Sequence, residues 1–196
     1  MKRRWVAIGL LASVGSVAAA SAEESVLDFE QAQIGKPVPT WTEKGVVFKL
    51  ARPLANSTAV GRIMFFPHLA TNHKGILNAM ATEQAIPVQA TFASAASSVT
   101  VVFWGSTGCP ALLEALDANG AVVDRASIAA APGREAPEDP VPFFQLTVNA
   151  PSIAAIRFSG PRDGEFLAAD EIRITPSVDP APARQAEVGS LRHPGW

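Results

Sequence analysis

Side chains able to do chemistry are few in this sequence, and their spacing argues against most reactions. His68 and His73 stand in "PHLATNH". A zinc-binding helix sets two histidines four residues apart around a glutamate, and a zinc finger adds a cysteine pair. Neither pattern is present, and Pro67, Thr71, Asn72 and Gly75 mark the stretch as a loop. His193 lies in the last few residues, outside any patterned segment. "WGSTGCP" (104–110) offers a serine between two glycines and a thiol after them, but it is not GxSxG and marks no histidine or acid as partner. A phosphate-cradling loop would need a following lysine and helix, and neither is there. Cys109 precedes Pro110 without a basic neighbour to lower its pKa, so an inert thiol is expected. With no acid–base grouping in a supporting context, the chain is expected not to be an enzyme.

Binding is the better expectation. Sugar sites combine an aromatic surface with a few polar groups. Trp104, at the end of the apolar run "SVTVVFW", is the candidate platform, with Asn72 and Arg162 as its hydrogen-bonding groups. Core packing is the competing reading for both Trp104 and Trp41, and the chain has no tyrosine to add to the surface.

Elements must position these residues, and the chain supplies them after a leader. Lys2, Arg3 and Arg4 precede the uncharged "WVAIGLLASVGSVAAA", and Ala20-Ser21-Ala22 offers the small residues a signal peptidase reads. The apolar run is shorter than the roughly 20 residues a membrane span needs. Residues 1–22 are therefore expected to be a cleaved signal peptide, 23–175 one domain, and the Pro-rich 176–196 a disordered tail. No second long apolar stretch follows, so no transmembrane anchor is expected. The 16 Lys and Arg are already outnumbered by 18 Asp and Glu, and three of the bases fall in the leader. Nucleic acid is excluded as a partner because its phosphates demand a basic footprint. Anionic membrane is disfavoured on the same ground. A single cysteine forbids an internal disulfide, so stability must come from the core or from a metal.

Between residues 25 and 175 short apolar runs alternate with Gly, Pro, Asn and Asp, the pattern of a sandwich or barrel. In "SSVTVVFW", Val99, Val101 and Phe103 share one face and Thr100, Val102 and Trp104 the other. Both faces are largely apolar, which reads as a central strand. In "LEALDANGAVVDRA", the Asn119-Gly120 pair predicts a tight hairpin with positive φ at both residues. A short helix capped by Gly120 is the alternative. "AAPGREAPEDPVP" (130–142) reads as a Pro-rich loop.

Taken in order, these runs resemble galactose-binding-like jelly-roll domains, as in secreted bacterial surface proteins and carbohydrate-binding modules. "LDFE" opens the domain and "GVVFKL" follows a short Pro/Trp turn. "IPVQATFASAASSVTVVFWG" is similar to the paired central strands, "ALLEALDANGAVVDRA" to a hairpin, and "IAAIRFSGPRDGEFLAADEIRI" to the closing pair. The resemblance implies an all-β jelly-roll β-sandwich. It also implies that acids of the first and last strands sit together around a structural calcium. The matching positions are Asp28 or Glu30 and Asp170 or Glu171, with Glu30 and Asp170 preferred. Calcium takes six to eight oxygens, which carboxylates and loop carbonyls can supply. The competing reading leaves these acids on solvated strand edges, where they discourage edge pairing. The function implied is a secreted or periplasmic non-catalytic binding or adhesion module for an extracellular glycan. An envelope or matrix structural protein that recognises other proteins is the alternative.

Overall fold

Among the described residues ten strands form, paired antiparallel, most of them where the sequence places its apolar runs. The computed structural model describes residues 23–51, 63–67, 74–78, 86–105, 107–133, 135–136, 142–159 and 167–178. The expected leader and the tail beyond 178 lie outside the described residues. The first five strands are β1 (Ser25–Leu27), β2 (Trp41–Glu43), β3 (Val46–Leu50), β4 (Ile63–Pro67) and β5 (Lys74–Asn78). They are followed by β6 (Val88–Gly105), β7 (Ala111–Leu116), β8 (Val122–Ile128), β9 (Phe144–Ser159) and β10 (Leu167–Pro176).

Two of these strands are long, bent and paired with each other. The runs 88–94 and 98–104 are a single strand, β6, and "FFQLTV" and "IAAIRF" are likewise one strand, β9. β6 and β9 pair over both halves, but the register shifts around Ala96↔Ile153. The composition there explains the bend: β6 carries Ala93 to Ser98, all alanine or serine, and β9 carries Pro151, which has no N–H to give a ladder. At this corner β6 changes partners on its other edge, from β3 (residues 88–92) to β10 (residues 96–105). The sheet thus folds into two layers, as strands that switch sheets through a bend allow. One layer runs β8–β7–β9–β6–β3–β2 and the other β9–β6–β10–β5–β4, with β1 beside β10 beyond β5.

Alternation turns one face of each layer into the core. β3 buries Val46, Phe48 and Leu50 and exposes Val47 and Lys49. β6 buries Val99, Val101 and Phe103, one of the two apolar faces read in the sequence. The layers meet where Phe103 stands edge-on to Phe158 at 5.4 Å. A second aromatic group closes the N-terminal end: Phe29 lies 5.4 Å from Phe48 and 6.0 Å from Phe65, and Trp41 lies 5.0 Å from Phe65. Trp41 comes from β2, where the sequence reading placed only a turn. Backbone hydrogen bonds from Gly35 to Phe65 and between Val38 and Ile63 lay residues 34–38 along the edge of β4. That cover blunts an edge otherwise open to pairing.

The hairpin between β7 and β8 forms, and no helix competes with it. Its turn differs from the expected one, because only Gly120 has positive φ (80°). Asp117 does the rest: its Oδ1 accepts from the N–H groups of Asn119 at 2.8 Å and Ala121 at 2.9 Å. A carboxylate that satisfies two turn amides removes the need for a second left-handed residue.

Phe29 carries the local cost of this architecture. It is fully buried at φ 55°, a left-handed conformation that bulky residues avoid. The strain is held because the turn after β1 must drive this ring inward between Phe48 and Phe65. Phe29→Ala is expected to lower unfolding stability by about 3–4 kcal/mol, the usual loss for a large buried aromatic. Urea denaturation followed by tryptophan fluorescence measures it.

Candidate functional site

The fold pairs the first described strand, β1, with the last, β10. β1 pairs with β10 through Leu27↔Ile172, so position 28 comes beside position 171. Glu171 is engaged by the Arg173 guanidinium. Asp28 is exposed and turns its Oδ1 back to the N–H of Glu30 at 3.3 Å. Asp170 is the extra residue of a β-bulge between Ala169↔Phe103 and Glu171↔Val102. Among the described residues no group of three or more His, Cys, Asp or Glu side chains could hold a metal. Of the four expected calcium ligands, Asp28 accepts from a backbone amide and Glu171 is in an ion pair. Glu43 Oε2 accepts from the Trp41 indole at 3.3 Å.

Trp104 ends β6 on the face opposite Phe103 and is only 6 % exposed. Ala168, opposite it on β10, is fully buried. This burial matches the core-packing reading that the sequence offers for the ring beside the platform. Asn72 and Arg162 lie outside the described residues, as do His68, His73 and His193. The strand ends that flank position 72, Pro67 and Lys74, pair at the far end of β4–β5 from Leu77, which aligns with Ala168 and Trp104. Three residues of strand, about 10 Å, separate those levels.

What the fold assembles instead lies on the outer face of the β8–β7–β9–β6–β3 layer. Register places Lys49 opposite Gln89, Gln89 opposite Arg157, Arg157 opposite Glu114, and Glu114 opposite Arg125. The result is one polar row across five strands. Directly opposed residues share a face, so all five side chains point the same way. Glu114 anchors the row. Its Oε1 accepts from Arg125 Nε at 2.9 Å, and its Oε2 accepts from Arg157 Nε at 2.8 Å and Nη2 at 2.7 Å. Gln89 Nε2 donates to Thr91 Oγ1 at 3.3 Å.

Two residues further along each strand runs a parallel apolar row. Val47 opposes Thr91, Thr91 opposes Ala155, and Ala155 opposes Leu116, with Val123 bulged beside it on β8. Val47 and Val123, at the two ends of the row, are 39 % and 43 % exposed. Ala155 and Leu116 are buried but lie outside the main core.

Sequence reasoning missed all of these residues. The only local signal is that Lys49, Glu114 and Arg157 are each a lone charge inside an apolar run, in "VFKL", "LLEAL" and "AIRF". Nothing in those runs says that they share a row. The register does.

Glu114 is 8 % exposed. Desolvation on its own would raise the pKa, but hydrogen bonds from Arg125 and Arg157, with their charges, outweigh it and hold the carboxyl below its ordinary 4.5. The ionised carboxylate is thus the form the fold favours.

No protein-family model matches the chain, and no curated protein is significantly similar to it. Solved structures do match. The K1 cleaved adhesin domain of Lys-gingipain from Porphyromonas gingivalis W83 is 13 % identical, with a TM-score of 0.51, over 80 % of this chain and 99 % of that one. The K2 cleaved adhesin domain of Lys-gingipain is 15 % identical with a TM-score of 0.46, over 78 % and 99 %. The xylan-binding domain from CBM 22 is 10 % identical with a TM-score of 0.39, over 64 % and 92 %. At these identities the likeness concerns the fold alone. The chain is an all-β jelly-roll sandwich of galactose-binding-like type, as the order of its strands led us to expect.

A depressed carboxylate pKa gives stability that is full above the unfolded value and is lost as pH falls through the folded one. Glu114→Gln is therefore expected to destabilise the protein at pH 7 by about 1–2 kcal/mol, a range set by the partial exposure of both arginines. The gap between the two proteins should close as pH drops below 4.5. Thermal melts of both at pH 7, 5 and 3 measure it, and a gap that stays constant would remove Glu114 from the acid response.

Proposed function

We propose that the chain is a secreted, non-catalytic binding module that recognises an extracellular glycan through the outer face of the β8–β7–β9–β6–β3 layer. One observation carries this reading: that face aligns hydrogen-bonding side chains in a row across five strands, with a second, partly exposed apolar row beside it. A polysaccharide offers the complement, hydroxyl edges for the polar row and C–H faces for the apolar one. Fold alone does not confer function. The reading still accords with a jelly roll whose solved likeness is an adhesin domain. The leader read in residues 1–22 supplies export. Among the described residues no helix is long and apolar enough to cross a membrane.

A thermal-shift series of residues 23–196 against a glycan panel, run with calcium and with EDTA, tests this. Selective binding to the native state raises Tm by mass action, by an amount equivalent to about 2.7 kcal/mol at a hundredfold excess over Kd. At least one glycan is expected to raise Tm, equally with calcium and with EDTA. A Tm that drops in EDTA and recovers with calcium would establish the clasp at Glu30 and Asp170. A panel without any shift, together with capture of purified envelope protein, would replace the glycan reading with that of an envelope or matrix protein.

A further inference from the structure

We infer that the glycan taken by this face is acidic, a polysaccharide carrying carboxylate or sulfate groups, held by Lys49, Arg157 and Arg125. The inference rests on the glycan-binding reading and names its substrate class.

The charge of the row is the first ground. Three cations and one carboxylate lie in it, and Glu114 is spent between two of them. The Arg125 side chain is 64 % exposed and commits only its Nε to Glu114. Lys49 is exposed at the other end of the row. A surplus of positive charge persists on this face of a chain whose overall formal charge is −2. An anion is thus drawn to this patch and repelled by the protein as a whole, which favours one oriented encounter.

Spacing is the second ground. Lys49 stands on β3, Arg157 two strands away on β9, and Arg125 two strands further on β8. Neighbouring strands lie about 4.8 Å apart, so the cations recur about every 10 Å along a line of about 19 Å. A polymer with a charged group at a regular interval matches such a line, and a single small anion does not. Arg157 is fixed by two contacts to Glu114, so the central cation is already in place before a ligand arrives, which reduces the ordering cost of binding.

The parallel apolar row supplies the third ground and excludes a purely ionic surface. It lies about 7 Å from the cations, two residues along the strands. Val47 and Val123 are its exposed ends, while Ala155 and Leu116 between them are buried. A sugar ring set against Val47 or Val123 directs the acid group on its edge to the neighbouring cation. A lipid headgroup or a nucleic-acid backbone has charge but no apolar face at this pitch.

The test uses residues 23–196 and titrates polygalacturonate, dextran sulfate, neutral xylan, phosphatidylserine vesicles and duplex DNA by calorimetry at 0.05 M and 0.15 M salt. Lys49→Gln with Arg125→Gln removes the two outer cations without touching the core, and Lys36→Gln is an exposed control away from the face. Polygalacturonate or dextran sulfate is expected to bind, more weakly at the higher salt, with affinity falling at least tenfold in the double variant and unchanged in Lys36→Gln. Which of the two binds separates carboxylate from sulfate recognition. A cooperative melt of the double variant, with its Tm well above the titration temperature, shows that the loss is not unfolding. If acidic glycans bind the double variant as well as the parent, or vesicles and DNA bind as tightly as they do, the inference is overturned. Binding of xylan alone overturns the inference and leaves the glycan-binding module standing. Binding of none of the polysaccharides overturns both.

Discussion

The shared bend of β6 and β9 is the constraint on which the rest of the molecule depends. Each strand crosses from one layer of the sandwich to the other, so a break in one without the other would tear the ladder between them. The break falls at the same level in both, small residues from Ala93 to Ser98 facing Pro151. The backbone groups released there are taken up. Asp124 Oδ2 accepts from the Asn149 N–H at 2.7 Å. Ser177 donates its N–H to the Ala95 carbonyl at 2.9 Å and its hydroxyl to that of Pro151 at 2.7 Å. A bend in a buried ladder leaves polar groups that must find partners, and here side chains from β8 and the residue after β10 provide them.

That bend also creates the recognition surface. Because β6 and β9 turn together, their first and last halves respectively pack side by side in one layer, and the β7–β8 hairpin and β3 add to its edges. The pairing of five strands then sets four charged side chains and Gln89 into line. Alanine and serine at the bend thus have consequences in the row from Lys49 to Arg125, although no bend residue belongs to it.

Glu114 shows how a charged residue can sit in such a sheet without undermining it. A buried carboxylate alone would cost several kcal/mol. Two arginines on the neighbouring strands convert it into a fixed point, and the carboxylate in turn holds one of them in place for a ligand. Stability and recognition use the same ion pairs, which couples the acid response of the fold to the charge of the face.

The sequence by itself determined the strands and their faces. Alternation in "SSVTVVFW" and Asn119-Gly120 between two apolar runs were enough for an all-β sandwich or barrel, because pleat period and turn chemistry are local. The jelly roll came from the resemblance that the order of the runs carries. The same local reading split β6 and β9 into four strands, since a run of small residues and a proline look like a loop until a partner strand breaks at the same place. It left Trp104 open between platform and core, and the fold buries it. Burial depends on what packs over a residue, and coordination on three-dimensional convergence, and neither is written in spacing. Only the tertiary structure decided that Lys49, Gln89, Arg157, Glu114 and Arg125, drawn from positions 49 to 157, would stand in one row. Long-range strand register brought them together, and register is set by the sum of all pairings in the sheet, not by any one segment.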